Sequence, residues 1–190
     1  MTSEPDLVAL CADIQLAIPR VEQHSSQTPI LRIQALDQLI DGEVLLKAEC
    51  LQATGSFKIR GALNAMSAIT GQGDINAVVA FSSGNHGIGV AYAARCLGTA
   101  ATIVLPSDAP ETKVRQIISL GARIIYYDRQ TEDREQIANA LLVDASVALI
   151  KPYDDWHTIA GQGTCGAEIQ TQVPGELDSV IVCAGGGGLA

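Results

Sequence analysis

AVVAFSSGNHGIGVAYAARCLGTAATIVL, residues 77 to 105, holds one complete unit of the architecture. The apolar run Ala77 to Phe81 reads as a strand buried on both faces, and the small-residue loop Ser82 to His86 follows it. Gly87 to Leu97 then carries helical periodicity until Gly98 stops it, and a second apolar strand runs from Ala101 to Leu105. The alternation continues with helix Glu111 to Leu120 ended by Gly121, strand Arg123 to Tyr127, a helix from about Glu132 to Asp144, and strand Val147 to Ile150. Apolar strands alternating with helices imply an α/β fold, a parallel sheet with helices on both faces.

Toward the N-terminus, Leu7 to Ile18 has helical spacing and is expected to stop at Pro19, with a polar loop reaching Thr28-Pro29. Val44 to Glu49 reads as a short strand, LQATGS as a turn, and Phe57 to Ile69 as a helix with Ser56 as its N-cap. Toward the C-terminus, a helix begins near Thr158 and a strand, Ser179 to Cys183, runs into AGGGGLA. A strand entering a glycine-rich loop normally delivers the chain to a helix N-terminus, where free N–H groups hold an anion. The sequence stops short of that helix, so it reads as an N-terminal fragment in which cofactor binding and turnover are impaired.

The composition narrows the function classes. The chain has 190 residues, 47% of them hydrophobic and 17% charged, which excludes a disordered chain. A net charge of -9 leaves no excess of cations for nucleic acid or an anionic membrane. The apolar stretch from Gly87 to Leu105 is interrupted by Arg95 and Gly98, unlike a membrane span, and the acidic start lacks a signal peptide's basic region. Five cysteines without a CxxC pair read as reduced core thiols of a cytoplasmic protein, and no histidine has a partner at metal-ligand spacing.

Three segments could carry chemistry. In TGSFKIRGA, residues 54 to 62, Lys58 falls in the first turn of a helix, where the dipole disfavours a cation and lowers the amine's pKa. A Schiff-base lysine needs that shift, although for the segment alone a solvated first-turn lysine is the commoner reading. Lys47, Lys113 and Lys151 sit in ordinary contexts. The loop Ser82, Ser83, Gly84, Asn85, His86 lies at the carboxyl end of a parallel strand, where α/β sheets place ligands. It is also ordinary turn composition, and His86 by itself reads as a packing residue. The run Gly185, Gly186, Gly187, Gly188 lets backbone N–H groups converge on a phosphate, and with Ala190 it also satisfies a dinucleotide fingerprint whose helix is missing. Cys165, in GTCG, lacks a base and reads as structural.

In this order the three segments resemble the fold type II pyridoxal-phosphate-dependent enzymes, and within them the threonine/serine dehydratase and serine racemase branch. TPILR at 28 to 32, LLKAECLQATGSFKIRGALNA, SSGNHGIGVAYAA, LPSDAPETKV at 105 to 114, IAGQGT at 159 to 164 and GGGGL all share in the resemblance. It implies a tryptophan-synthase-beta-like fold, with residues 51 to 150 forming the smaller domain and 1 to 50 with 151 to 190 beginning a larger one. It implies pyridoxal 5'-phosphate bound to Lys58, which then moves a proton at the substrate α-carbon, with Phe57 against the cofactor. Asn85 would meet the cofactor's 3-oxygen, Gly185 to Leu189 its phosphate, and Ser82 to His86 the substrate carboxylate. Ser83 matches the opposite-face acid/base of racemases. The implied reaction is β-elimination of threonine or serine to a 2-oxo acid and ammonia, with serine racemase or 3-hydroxyaspartate dehydratase as alternatives. A homo-oligomer is implied for the full-length protein, and no metal ligand falls within these residues. A dinucleotide-binding domain would leave Lys58 and the Asn85 loop unexplained, while a non-catalytic remnant remains the reading from another class.

Overall fold

The computed structural model describes residues 6–71, 73, 75–82, 84–143 and 145–189. Its centre is a parallel sheet of β3 (Ala77–Phe81), β4 (Ala100–Pro106), β5 (Arg123–Tyr127) and β6 (Val147–Leu149), ordered β5-β4-β3-β6. The alternation expected from the sequence is therefore present, with α4 (Asn85–Leu97), α5 (Glu111–Ser119) and α6 (Arg134–Ala140) between successive strands. Both faces are covered, as the apolar strands require. Val78, Ala80, Ile103 and Leu105 pack with Ile88 and Ile117 of α4 and α5 on one side. Val79, Phe81, Val104 and Tyr127 pack with Ala138 of α6 on the other. Gly98 ends α4 in the left-handed conformation, φ 66°, which glycine adopts without a Cβ penalty.

A helical layer packs on α4, outside the face of the sheet that α4 covers. It consists of α1 (Leu7–Glu22), α3 (Lys58–Thr70) and α7 (Trp156–Gln172). The glycines of IAGQGT explain its closeness, because a Cβ on Gly161 would stand 2.6 Å from the Arg60 carbonyl oxygen and 2.7 Å from Gly61 Cα. The layer encloses Arg60, which is fully buried. Arg60 donates to both oxygens of Glu49 at 2.8 Å, to both oxygens of Glu168 at 2.7 and 2.8 Å, and to Thr164 Oγ1 at 3.2 Å. Those five bonds satisfy every N–H of the guanidinium. Burial opposes its charge, but the bonds to Glu49 and Glu168 outweigh burial and raise its pKa. Lys47 Nζ joins the cluster at 2.5 Å from Glu168, tying β2 (Leu45–Lys47) to α7. β2 pairs antiparallel with β1 (Ile30–Arg32), and α2 (Gln34–Ile40) lies between them.

Several expectations need correction. α1 continues through Pro19 to Glu22, because Ala17 and Val21 on either side of the proline are both buried and keep the last turn packed. Ser56 does not cap α3. Phe57 occupies the cap with helical angles, φ -60° and ψ -18°, and Ser56 Oγ is buried without a partner among the described residues. α6 is shorter than expected and is capped by Asp133, whose side chain accepts from the Glu135 and Gln136 N–H groups. Residues 179–183 form no strand, and Ile181 is 97% exposed, since no described strand lies beside them to complete a ladder. The cysteines are all free, but Cys11, Cys50 and Cys183 are exposed and Cys165 alone is buried, so they are not a set of core thiols. No helix among the described residues is long and apolar enough to cross a membrane.

Candidate active site

The strand order locates a crevice. From β3 the chain adds β4 and then β5 on one side, and β6 returns to the other. This makes the carboxyl end of β3 a topological switch point, the place where open α/β sheets leave room for a ligand. Ser82 lies there, its N–H donating to the Val104 carbonyl and its Oγ accepting from the Gly84 N–H at 3.0 Å. α4 starts at Asn85, two residues earlier than the periodicity suggests, so Asn85 and His86 stand in its first turn rather than in the loop. Ser83 lies outside the described residues.

His86 is buried, with Nε2 2.9 Å from the Ile150 carbonyl oxygen. Burial pushes its pKa down to about 4, so the ring is neutral near pH 7. A carbonyl only accepts, which places the proton on Nε2 and leaves Nδ1 a bare acceptor. Nδ1 has no partner among the described residues. A positive charge on Lys58 also disfavours protonation of His86, so the two groups lie within electrostatic reach.

Lys58 opens α3. Its Nζ donates to the Pro152 carbonyl at 2.7 Å and sits 5.1 Å from the centroid of the Phe57 ring. Burial lowers its pKa, and no carboxylate pairs with it among the described residues. The Lys58 backbone is itself closely covered, since a Cβ on Gly89 would stand 3.1 Å from its carbonyl oxygen. An amine so held stays more nucleophilic than a solvated surface lysine.

The predicted segments converge on Ile150 to Tyr153, which sequence reasoning passes over. Ile150 receives His86, Pro152 receives Lys58, and the Tyr153 ring occupies the space a Cβ would need on Gly186. Gly188 also packs on Tyr153, at 3.0 Å from an ideal Cβ, and Gly187 has φ 80°. Thus Gly186 and Gly188 reach Tyr153 without the strand expected to carry the run, while Gly185 and Gly187 have nothing within 4 Å of their ideal Cβ. Lys113 is a second omission. Its Nζ donates to Asn85 Oδ1 at 2.9 Å and lies 2.5 Å from an ideal Cβ on Gly84. Its sequence signal is the lysine in LPSDAPETKV, which only tertiary packing brings to the loop. Cys165 is no nucleophile, because burial pushes its thiol up to about 11.

Three features fit an aldehyde cofactor with an anionic tail: among the described residues, an amine free of carboxylates and two buried polar atoms without partners, at Ser56 and His86, and a glycine run nearby. The comparisons with known proteins agree. The family profile described as pyridoxal-phosphate dependent enzyme matches residues 21–190, and the chain belongs to that family. It is 43% identical over 183 residues to an L-threo-3-hydroxyaspartate ammonia-lyase of Saccharomyces cerevisiae, covering 96% of this chain and 56% of that protein. Its structure is similar to that of maize serine racemase, with a TM-score of 0.88, 38% identity, and coverage of 94% of this chain and 54% of that one. It is also similar to the processed form of threonine deaminase isoform 2 from Solanum lycopersicum, with a TM-score of 0.80, 31% identity, and coverage of 90% and 50%. The chain spans about half the length of the curated relatives it matches. These are ammonia-lyases and racemases, and pyridoxal phosphate is the cofactor of the family.

Proposed function

We propose that this chain forms the cofactor-anchoring and carboxylate-binding part of an ammonia-lyase acting on a 3-hydroxy amino acid. Lys58 carries the reading: a half-buried amine held by a carbonyl, free of carboxylates among the described residues, in a chain of this family. Bound pyridoxal phosphate supplies the electron sink that makes the substrate α-proton removable. Lys58 would hold the cofactor and, once released, take and return the proton at the α-carbon, for which a lowered pKa suits it. Phe57 would pack beside the cofactor, Asn85 would bond its ring oxygen, and Gly185 to Leu189 would receive its phosphate. Ser82 to His86 would bind the substrate carboxylate through those of its donors that are not already bonded, Ser82 N–H being held by Val104 and Gly84 N–H by Ser82 Oγ, while neutral His86 adds no charge and its Nδ1, an acceptor, has no bond to offer a carboxylate. Loss of the β-hydroxyl and hydrolysis of the resulting enamine give a 2-oxo acid and ammonia.

The likeness to the yeast ammonia-lyase makes L-threo-3-hydroxyaspartate the first substrate to try, with serine and threonine next. The likeness to maize serine racemase supports racemisation as the second reading, with Ser83 as the opposite-face acid/base. The division into a smaller unit at 51–150 and a larger one begun by 1–50 and 151–190 belongs to this proposal. It is supported by the parallel sheet, whose strands all lie between Ala77 and Leu149. A small amino acid as partner, and assembly into a homo-oligomer, complete it.

The test is to incubate the protein with pyridoxal phosphate, reduce with borohydride and map the modified lysine by peptide mass, with Lys58→Ala as control. Selective modification of Lys58 is expected, while modification spread over Lys47, Lys113 and Lys151 would overturn the reading. Ammonia release from the three amino acids then ranks the substrates.

A further inference from the structure

Lys113 has a place in the site that the reaction above does not use. It stands in the first turn of α5, where the helix dipole gives a cation no support. Its Nζ nevertheless reaches the start of α4, donating to Asn85 Oδ1 at 2.9 Å and standing 2.5 Å from where Gly84 would carry a Cβ. No carboxylate claims it among the described residues, and Glu111, two positions earlier, is held by Arg115 at 3.0 Å.

Two consequences follow from the chemistry of an ammonium group. It has donors and no acceptor, so it bonds the oxygen end of the Asn85 amide and leaves the NH2 end free. An asparagine without such a neighbour can turn either end toward a ligand, whereas Asn85 beside Lys113 presents donors. The charge is also held against Gly84, in the loop at the switch point, and it adds an attractive field for an anion there. Glycine at 84 is what allows the amine so close.

We propose that Lys113 is a positioning residue, which fixes the Asn85 amide with its NH2 group toward the cofactor and charges the carboxylate-binding loop. The inference rests on the function proposed above. It also explains why the segment 105 to 114 belongs to the site although Lys113 lies 28 residues from Asn85 in sequence.

The experiment titrates pyridoxal phosphate against the wild type and the Lys113→Met, Lys113→Arg and Gly84→Ala variants, reading occupancy of Lys58 by borohydride trapping and peptide mass. The side-chain amide signal of Asn85 is followed by NMR without cofactor, and melting is recorded for each protein. Lys113→Met is expected to raise the half-occupancy concentration roughly three- to tenfold, as loss of one exposed hydrogen bond would. It should also shift the Asn85 amide signal while leaving melting within about 2 °C of the wild type. Lys113→Arg should recover most of the affinity, and Gly84→Ala, whose new methyl displaces the amine, should resemble Lys113→Met. A labelled wild type that Lys113→Met matches, or an Asn85 signal that Lys113→Met leaves in place, overturns this inference alone. A wild type unlabelled at Lys58 overturns the cofactor reading and this inference together.

Discussion

Two cations at the start of one helix are treated in opposite ways. Arg60 is fully buried, and all of its N–H groups reach acceptors on Glu49, Glu168 and Thr164. Lys58, two residues earlier, is half-buried and reaches one carbonyl and one aromatic ring. Burial opposes the charge of both, yet the carboxylates hold Arg60 charged while nothing offsets the lowered pKa of Lys58. A cation whose bonds are complete is part of the framework. One left incomplete in the same helix turn is available for chemistry, and the framework next to it fixes where it stands.

The comparison is broken most severely from the Arg60 side. Arg60→Met leaves Glu49 and Glu168 facing each other without the guanidinium between them, and it is expected to cost about 3–5 kcal/mol of stability in chemical denaturation. Arg60→Lys should recover only part of that, because an ammonium cannot span two carboxylates with paired bonds. A loss below about 1 kcal/mol for Arg60→Met would show that the cluster does not hold α3 to α7.

The pH dependence comes next in size. His86 has a folded pKa of about 4, against an ordinary 6.5, and burial is the main cause. Its depressed value means that the unfolded chain takes up a proton below pH 6.5 while the folded chain does not. The contribution is complete above pH 6.5 and is lost progressively as pH falls through the folded value. The loss amounts to about 3 kcal/mol across that interval. His86→Gln should flatten this limb of the stability curve, and an unchanged limb would assign it to the carboxylates.

Smaller again is the effect of closing the helix contact that holds both cations in place. Gly161→Ala drives a methyl into the Arg60 carbonyl and Gly61 Cα, both backbone atoms that cannot rotate away. A cost of about 1–3 kcal/mol is expected, with α7 displaced from α3 and a weaker Lys58 response to pyridoxal phosphate. Gly166→Ala, on the same helix with nothing within 4 Å of its ideal Cβ, is the control and should be neutral or slightly stabilising.

What the sequence makes legible divides along the range of the interactions. β3 and β5 are legible to the residue, because apolar runs bounded by polar and glycine positions define them locally. Lys58 and the Ser82 to His86 loop are legible as residue types in a telling order. The expected stop at Pro19 fails because the burial of Val21 comes from tertiary packing, and the strand expected at 179–183 fails because a strand exists only with a neighbour. The segment Ile150 to Tyr153 carries no motif of its own. Its bonds to His86 and Lys58 span 64 and 94 residues, a separation that no local periodicity encodes. Lys113 is visible in the sequence but unexceptional there, since a lysine in a helix is ordinary until folding places it over Gly84.

The comparison is sharpened, finally, by removing the incomplete cation. Lys58→Ala deletes an amine whose charge burial disfavours and whose bonds are one carbonyl and one ring contact. Alanine is also the strongest helix former and relieves the first turn of α3 of a charge that opposes its dipole. Stability should therefore change by less than about 1 kcal/mol, and in the stabilising direction, while borohydride trapping of pyridoxal phosphate disappears. A loss of stability comparable with that of Arg60→Met would mean that Lys58 belongs to the framework after all, and that its bond to Pro152 holds α3 to the segment beyond β6. The Tm and the trapped fraction, measured on the same preparation, separate the two cases, because a framework lysine would lower both and a chemical one only the second.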